Sequence, residues 1–352
     1  MSISGLVEAG GKRFRKLGQT MTDIPENMTA VEIAEPGGPE VLKPCTRPVP
    51  VPGQGEVLVK VAAAGVNRPD IVQRQGRYPA PPDASDLPGL EIAGEVIAVG
   101  GGVDGIAIGT KVCALVEGGG YAEYCVARAG QCFPVPESLT MIEAAAIPET
   151  LMTVWHNLFE RGYAADGDTV LVHGGTSGIG SMAIKLCNIV GIKIIVTCGS
   201  DDKCDAAKKI GADHAINYKD ADFVEEVKRI TDGAGVNVLI DMVAGDYVPR
   251  NLQCLADDGR HVTIAVQGGM TAEINMAFVM MRRLTLTGST LRARSAEFKS
   301  LLTDEIYRNV WPDVEKGQLR PEIDKSFPLA DAAAAHAHME SGAHVGKIVL
   351  EV

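Results

Sequence analysis

The chain has 352 residues, a formal net charge of -12 at pH 7, and 46% hydrophobic against 22% charged residues. That length exceeds what one hydrophobic core usually serves, so two domains are expected. The acidic balance argues against nucleic acid or an anionic membrane surface as the main partner. Eight cysteines without a C-x-x-C pair fit a reducing compartment such as the cytoplasm, and no run of eighteen apolar residues offers a membrane span.

Residues 1–27 carry Lys12, Arg13, Arg15 and Lys16 without a signal-peptide core, and read as a mildly basic, flexible extension. Alternation over residues 28–33 predicts an edge strand, closed by the turn Glu35-Pro-Gly-Gly-Pro39. Residues 55–61 predict a strand with one buried face. A short helix is expected over 71–75, then a proline-rich loop to Pro88 and strands over 89–100, 111–116 and 121–126. So many short strands between turn signals predict a β-rich first domain of barrel type.

Helix formers over 142–147 and 151–159 lead into a different rhythm. Strands near 169–173, 193–197, 214–217, 237–241, 260–265 and 284–288 alternate with helical segments, as a doubly wound parallel sheet of two mononucleotide-binding halves requires. Residues 292–315 read as helical and polar. Residues 323–328, an alanine-rich helix and Gly346-Lys-Ile-Val-Leu350 suggest a return to the first domain.

The chemistry concentrates in Thr169-Val-Leu-Val-His173, the turn Gly174-Gly-Thr-Ser-Gly-Ile-Gly180 and the helical run that follows. A strand that breaks into a glycine-dense turn and resumes as a helix presents unpaired N–H groups and the positive end of the helix dipole to a pyrophosphate. Thr176, Ser177, Gly178, Ile179 and Gly180 are therefore candidate cofactor contacts, although Ser177 stands where the dinucleotide fingerprint has its middle glycine. An acid that would hold an NAD ribose is replaced at the next strand end by Gly199-Ser200. That leaves room for a 2′-phosphate, with Lys203 as counter-charge and Asp201 and Asp202 turned to water. NADPH is the cofactor this predicts.

A resemblance then emerges from Gly65-Val-Asn-Arg-Pro-Asp70, Arg74-Gln-Gly-Arg-Tyr-Pro79, Pro88-Gly-Leu-Glu-Ile-Ala-Gly94, Ala144-Ala-Ala-Ile-Pro148, the glycine turn, Gly199-Ser200, Ile216-Asn-Tyr218 and Gly346-Lys-Ile-Val-Leu350. In combination the chain resembles the quinone oxidoreductase (zeta-crystallin) family of zinc-free medium-chain dehydrogenases/reductases. Arg74-Gln-Gly-Arg-Tyr78 and Gly233-Ala-Gly-Val-Asn237 place it nearest the p53-inducible quinone oxidoreductase group. The resemblance implies a GroES-like β-barrel catalytic domain from residues 28–151 and 290–352, a Rossmann domain over 152–289, an active site in the cleft between, and a homodimer joined through the Rossmann domains.

The segment around Asn67 lacks the Cys and His-Glu ligands of zinc alcohol dehydrogenases, and Cys113, Cys125 and Cys132 read as small core residues. No metal is expected. Without a Lewis acid, the acceptor must delocalise the arriving charge itself, as a quinone or an α,β-unsaturated carbonyl does. By resemblance Asn67 and Tyr78 line the substrate site, although Asn67 also suits a turn before Pro69 and Tyr78 a packing aromatic. The resemblance also puts Thr153 at the nicotinamide ribose and Gly199, Ser200 and Tyr218 around the 2′-phosphate. Gly245, Ala265, Gln267, Leu291 and Arg292 follow strands of the second half, at carboxyl ends facing the crevice. Lys347 reads either as a cofactor neighbour or as a solvated charge beside an edge strand. His336 and His338 read as surface-helix residues, and His173 as a hydrogen-bonded core histidine. Two alternatives stay open: a medium-chain enoyl or enone reductase, and a non-catalytic NADPH-binding protein of the crystallin kind.

Overall fold

Two large sheets and a separate two-stranded ribbon organise the chain. A computed structural model describes residues 24–352, so residues 1–23 of the extension expected over 1–27 lie outside the described residues, while Asn27 already belongs to the first strand. The first strands are β1 (Asn27–Ile33), β2 (Leu42–Pro48), β3 (Glu56–Val66), β4 (Glu91–Val99), β5 (Lys111–Leu115), β6 (Tyr124–Arg128) and β7 (Cys132–Pro134). Six more follow: β8 (Thr169–His173), β9 (Lys193–Cys198), β10 (His214–Asn217), β11 (Val236–Asp241), β12 (Leu255–Thr263) and β13 (Thr285–Gly288). The chain closes with β14 (Ile323–Pro328) and β15 (Lys347–Glu351).

The barrel sheet runs β14-β15-β3-β4-β5-β7 with β6 also on β3, so both ends of the chain build it. The second sheet is wholly parallel, in the order β10-β9-β8-β11-β12-β13. Chain connections leave β8 in one direction and β11 in the other, which opens a crevice at their carboxyl ends. β8 to β13 all fall inside residues 152–289 and the barrel strands outside them. The cores are not separate: Ala63, Ala93 and Phe133 of the barrel share one buried cluster with Leu151, Val170, Val172 and Met182. Among the described residues no helix is long and apolar enough to cross a membrane.

Two of the strands differ from expectation because of small residues and prolines, while β6 lies at 124–128 rather than 121–126 and β7 was not expected. β2 gave no strand signal because it contains Pro44 and Pro48. It pairs only with β1, and a strand with a free edge can carry residues that lack an N–H. β3 continues past residue 61 through Ala62-Ala-Ala-Gly65, small residues that give no apolar alternation. They are needed: a Cβ on Gly65 would lie 2.0 Å from Glu91 Oε1 and 2.8 Å from the Ala145 carbonyl oxygen. The helix expected over 71–75 starts earlier, at Arg68–Arg74, because Asp70 takes the Asn67 N–H at 2.8 Å across its first turn.

His336 corrects the sequence reading. Its helix, Ala332–Ser341, packs over the barrel and buries the imidazole fully between Tyr121 and Arg74, with Nε2 2.9 Å from the Tyr121 hydroxyl. Burial, with the Arg74 charge beside it, pushes its pKa down to about 3. His338 stays part-exposed on the same helix and pairs with Asp324 at 2.7 Å.

Candidate active site

The glycine turn is held open by its neighbours. The Gly175 N–H donates to the Thr197 carbonyl at 2.9 Å, and Gly174 adopts φ +72, a backbone conformation open to glycine. Ser177, in the middle-glycine position, is the N-cap of the helix Gly178–Val190, its Oγ accepting the Gly180 N–H at 3.0 Å. A Cβ on Gly180 would lie 2.3 Å from the Gly174 carbonyl oxygen, so strand end and helix start touch only because the residue is bare. The Gly178 and Ile179 N–H groups open the helix and have no acceptor within it. These residues form a cradle that fits a pyrophosphate.

Beneath the crevice lies a buried polar network. His173 pairs through Nδ1 with Thr197 Oγ1 and through Nε2 with Asn251 Oδ1, both at 2.9 Å. The Asn251 amide donates to Asp241 at 2.9 Å, and Asp241 also meets His261 at 3.0 Å. Burial opposes the Asp241 charge, but hydrogen bonds from His261 and the Ala244 N–H hold its pKa below the ordinary value. Its other oxygen accepts the Val243 and Ala244 N–H groups, fixing the loop in which Ala244 (φ +57) and Gly245 (φ +54) are both left-handed. Asn251→Ala would strip partners from two buried groups at once, so we expect a loss of about 3 kcal/mol, read as a lower urea midpoint.

At the end of β9, Ser200 caps the helix Asp201–Ile210. Asp201 and Asp202 are exposed, as expected. A Cβ on Gly199 would lie 3.0 Å from the Tyr218 hydroxyl oxygen, so Gly199, Ser200 and Tyr218 share one corner. Lys203 reaches across to the barrel, where Nζ donates to the Gly342 and His344 carbonyls. An ammonium has three donors, and one remains for an anion.

The barrel side of the cleft is a closed set of buried charges. Lys347 is no solvated charge on an edge strand: β15 lies between β14 and β3, and the residue is buried. Its three donors go to Glu91 Oε1 at 2.6 Å, Asn67 Oδ1 at 2.5 Å and the Val66 carbonyl at 3.1 Å. Asn67 in turn donates to Glu91 Oε1 at 2.9 Å, so its amide is tied at both ends. Glu91 Oε2 accepts the Glu149 N–H at 2.9 Å, which joins this cluster to the helix Pro148–Trp155 carrying Thr153.

Arg292 is nearly buried. It donates twice to the Glu117 carbonyl and once to Gln73 Oε1, and lies 5.2 Å over the half-buried Tyr78 ring. Burial raises the Tyr78 pKa, as do the carboxylates of Glu149 and Asp70, while Arg292 opposes the shift. Asn157 links the remaining candidates. It donates to the Thr153 carbonyl at 2.9 Å and accepts the Ser289 hydroxyl at 2.7 Å, drawing the loop with Leu291 toward the linker helix. After β12, Ala265 is half-buried and Gln267 exposed.

Sequence reasoning passed over Glu91, Asp70, Glu149, Asp241 and Asn251. Glu91 carried a usable signal, since it opens a strand that is apolar apart from Glu95, and a carboxylate buried there must find a partner. Glu149, an acid in the first turn of a helix, looked ordinary.

A GroES-like barrel joined to a Rossmann sheet, with a glycine cradle at their cleft, defines a medium-chain dehydrogenase/reductase. Residues 53–137 match the alcohol dehydrogenase GroES-like domain family and residues 178–306 the zinc-binding dehydrogenase family. The chain is 32% identical over 330 residues to quinone oxidoreductase of Rattus norvegicus, covering 92% of this chain and 97% of that one. Escherichia coli quinone oxidoreductase, solved in complex with NADPH, superposes with a TM-score of 0.83 at 30% identity, covering 92% of this chain and 100% of that one. A 308-residue match at 32% identity also falls within a polyketide synthase subunit of Mycobacterium tuberculosis, covering 86% of this chain and 14% of the subunit. This chain belongs to the quinone oxidoreductase family of medium-chain dehydrogenases/reductases, and it is an oxidoreductase. Among the described residues no group of three or more His, Cys, Asp or Glu is arranged to hold a metal ion.

Proposed function

We propose that the protein is an NADPH-dependent, zinc-independent reductase of quinones or related conjugated carbonyls, with its site in the cleft between a barrel domain of residues 28–151 and 290–352 and a Rossmann domain of residues 152–289. The observation that carries the cofactor choice is the end of β9, where Gly199 and Ser200 stand in place of an acid, Tyr218 lies alongside, and Lys203 keeps a donor free. When bound, the reduced nicotinamide supplies a hydride. The Gly178 and Ile179 N–H groups, with Thr176, Ser177 and Gly180 shaping the turn, bind the pyrophosphate. Thr153, Gly245, Ala265, Gln267, Leu291 and Arg292 position the nicotinamide half. Tyr78 donates a hydrogen bond to the acceptor oxygen, and Asn67 with Lys347 holds the barrel wall in register. Burial supports zinc independence: it pushes the Cys125 thiol up to about 12 and the Cys113 thiol well above its ordinary value, whereas a zinc ligand must be a thiolate.

We expect tighter binding of NADPH than of NADH, and loss of that preference in the double variant Ser200→Asp, Lys203→Ala. Calorimetric titration of both cofactors checks this, and equal affinities in the unaltered protein would overturn the cofactor assignment. The polyketide synthase match supports a second reading, a 2-enoyl reductase, which a quinone panel run beside a 2-enoyl panel at equal enzyme separates. Binding of NADPH without turnover in either panel would favour the crystallin-like alternative.

We further propose a homodimer through the Rossmann sheets. Its support is the position of β13 at the sheet edge, with Met276, Met280, Met281 and Leu286 exposed nearby. The eight free cysteines support a reducing compartment, which we take to be the cytoplasm.

A further inference from the structure

We propose that Glu149 is the proton donor that completes the reduction, delivering its carboxyl proton to the acceptor oxygen. This rests on the function proposed above and names a residue for its second half.

Around the cleft, most polar groups are already committed. Asn67 and Lys347 have their polar atoms engaged by each other, Glu91 and backbone carbonyls. Glu91 holds both of them and the Glu149 N–H. Asp70 accepts from the N–H groups of Asn67 and Gly89 and from the Tyr121 hydroxyl. Arg292 is fastened to Glu117 and Gln73. Within this set of described residues, the Tyr78 hydroxyl and the Glu149 carboxyl alone have no hydrogen-bond partner, and both residues keep partial solvent access. Glu149 also stands one helical turn before Thr153, an i, i+4 spacing that places the two on the same face of the linker helix.

Reducing a conjugated carbonyl takes a hydride and one proton. The hydride's electron pair leaves the acceptor oxygen anionic, the Glu149 O–H bond breaks as a new O–H bond forms on that oxygen, and the carboxylate recovers its proton from bulk water. The groups whose charges act on Glu149 are Lys347 on β15, Glu91 on β4 and Asp70 on the helix Arg68–Arg74, and Glu149 in turn acts on Tyr78 in the loop after that helix. Burial is the largest influence and raises the carboxyl pKa to about 7. Lys347 opposes the rise, and Glu91 and Asp70 add to it. A donor with its pKa near working pH both holds a proton and gives it up readily. The Tyr78 hydroxyl, raised above its ordinary value, keeps its proton and serves as a hydrogen-bond donor.

The test is Glu149→Gln, a nearly isosteric change. In the cofactor-free protein labelled with carboxyl-13C glutamate, one carboxyl should titrate between pH 6 and 8 in the wild type, as a shift set by a pKa of about 7, and be missing from the variant. NADPH should bind both proteins equally, which shows that the variant is folded. In single-turnover reduction of a quinone, the wild-type rate should fall as pH rises above about 7. The variant should be slower by about 100-fold at low pH and show no such fall. A variant that keeps the wild-type rate and pH profile, or a wild type with no carboxyl titrating in that range, overturns the assignment alone. A wild type that binds NADPH but reduces no quinone sinks the functional reading and this proposal with it.

Discussion

Replacing Lys347 by Met should lower the stability of the protein by about 3–5 kcal/mol, the largest effect expected of any single change in the cleft. The reason is the location of the ion pair rather than its strength. Lys347 and Glu91 are 4% and 0% exposed at their side chains, so Met would leave a carboxylate in the interior with only the Asn67 amide and the Glu149 N–H to hold it. Breaking a buried pair from one side typically costs this much, whereas removing both charges can be close to neutral. The double variant Lys347→Met, Glu91→Gln should therefore recover most of the loss, a non-additivity that a double-mutant cycle on urea unfolding measures. Lys347→Met within about 0.5 kcal/mol of wild type would mean that the pair is solvated in solution.

Gly180→Ala should have the second largest effect, and on a different property. Its new methyl would be driven against the Gly174 carbonyl oxygen and the Gly175 Cα, at 2.3 and 2.6 Å. Both are backbone atoms, so relief requires the helix start to move away from the strand end. Overpacking of this kind costs about 1–3 kcal/mol, and the moved N–H groups no longer converge on one point. We expect NADPH affinity to drop at least about tenfold, equivalent to about 1.4 kcal/mol, by calorimetry. Wild-type affinity in this variant would show that the cradle is not what holds the cofactor.

These two positions differ in how far they could be read before folding. Gly180 was legible because its constraint is local: strand, turn and helix follow one another in the chain, and the bare residue is required where they meet. Ser177 was legible as a departure from the fingerprint, although its job as an N-cap needed the structure. Lys347 was ambiguous because its partners, Asn67 and Glu91, lie hundreds of residues away in the chain. The same holds for His336, whose alanine-rich helix looked like a surface element until it packed over Tyr121 and Arg74. β2 escaped notice because its prolines are tolerated only through its place at a free edge, which is a property of the sheet.

The alternation of strand and helix, the glycine turn, the loss of the acid after β9 and the return of the C-terminal strand to the barrel were all written in the order of the residues. Each depends on neighbours in the chain, through periodicity and backbone geometry. Which charges are buried, which of them are satisfied and which side chains are left facing the cleft emerged with the packing of the two sheets. Those outcomes depend on desolvation and on partners contributed by distant strands, and neither is encoded in local spacing.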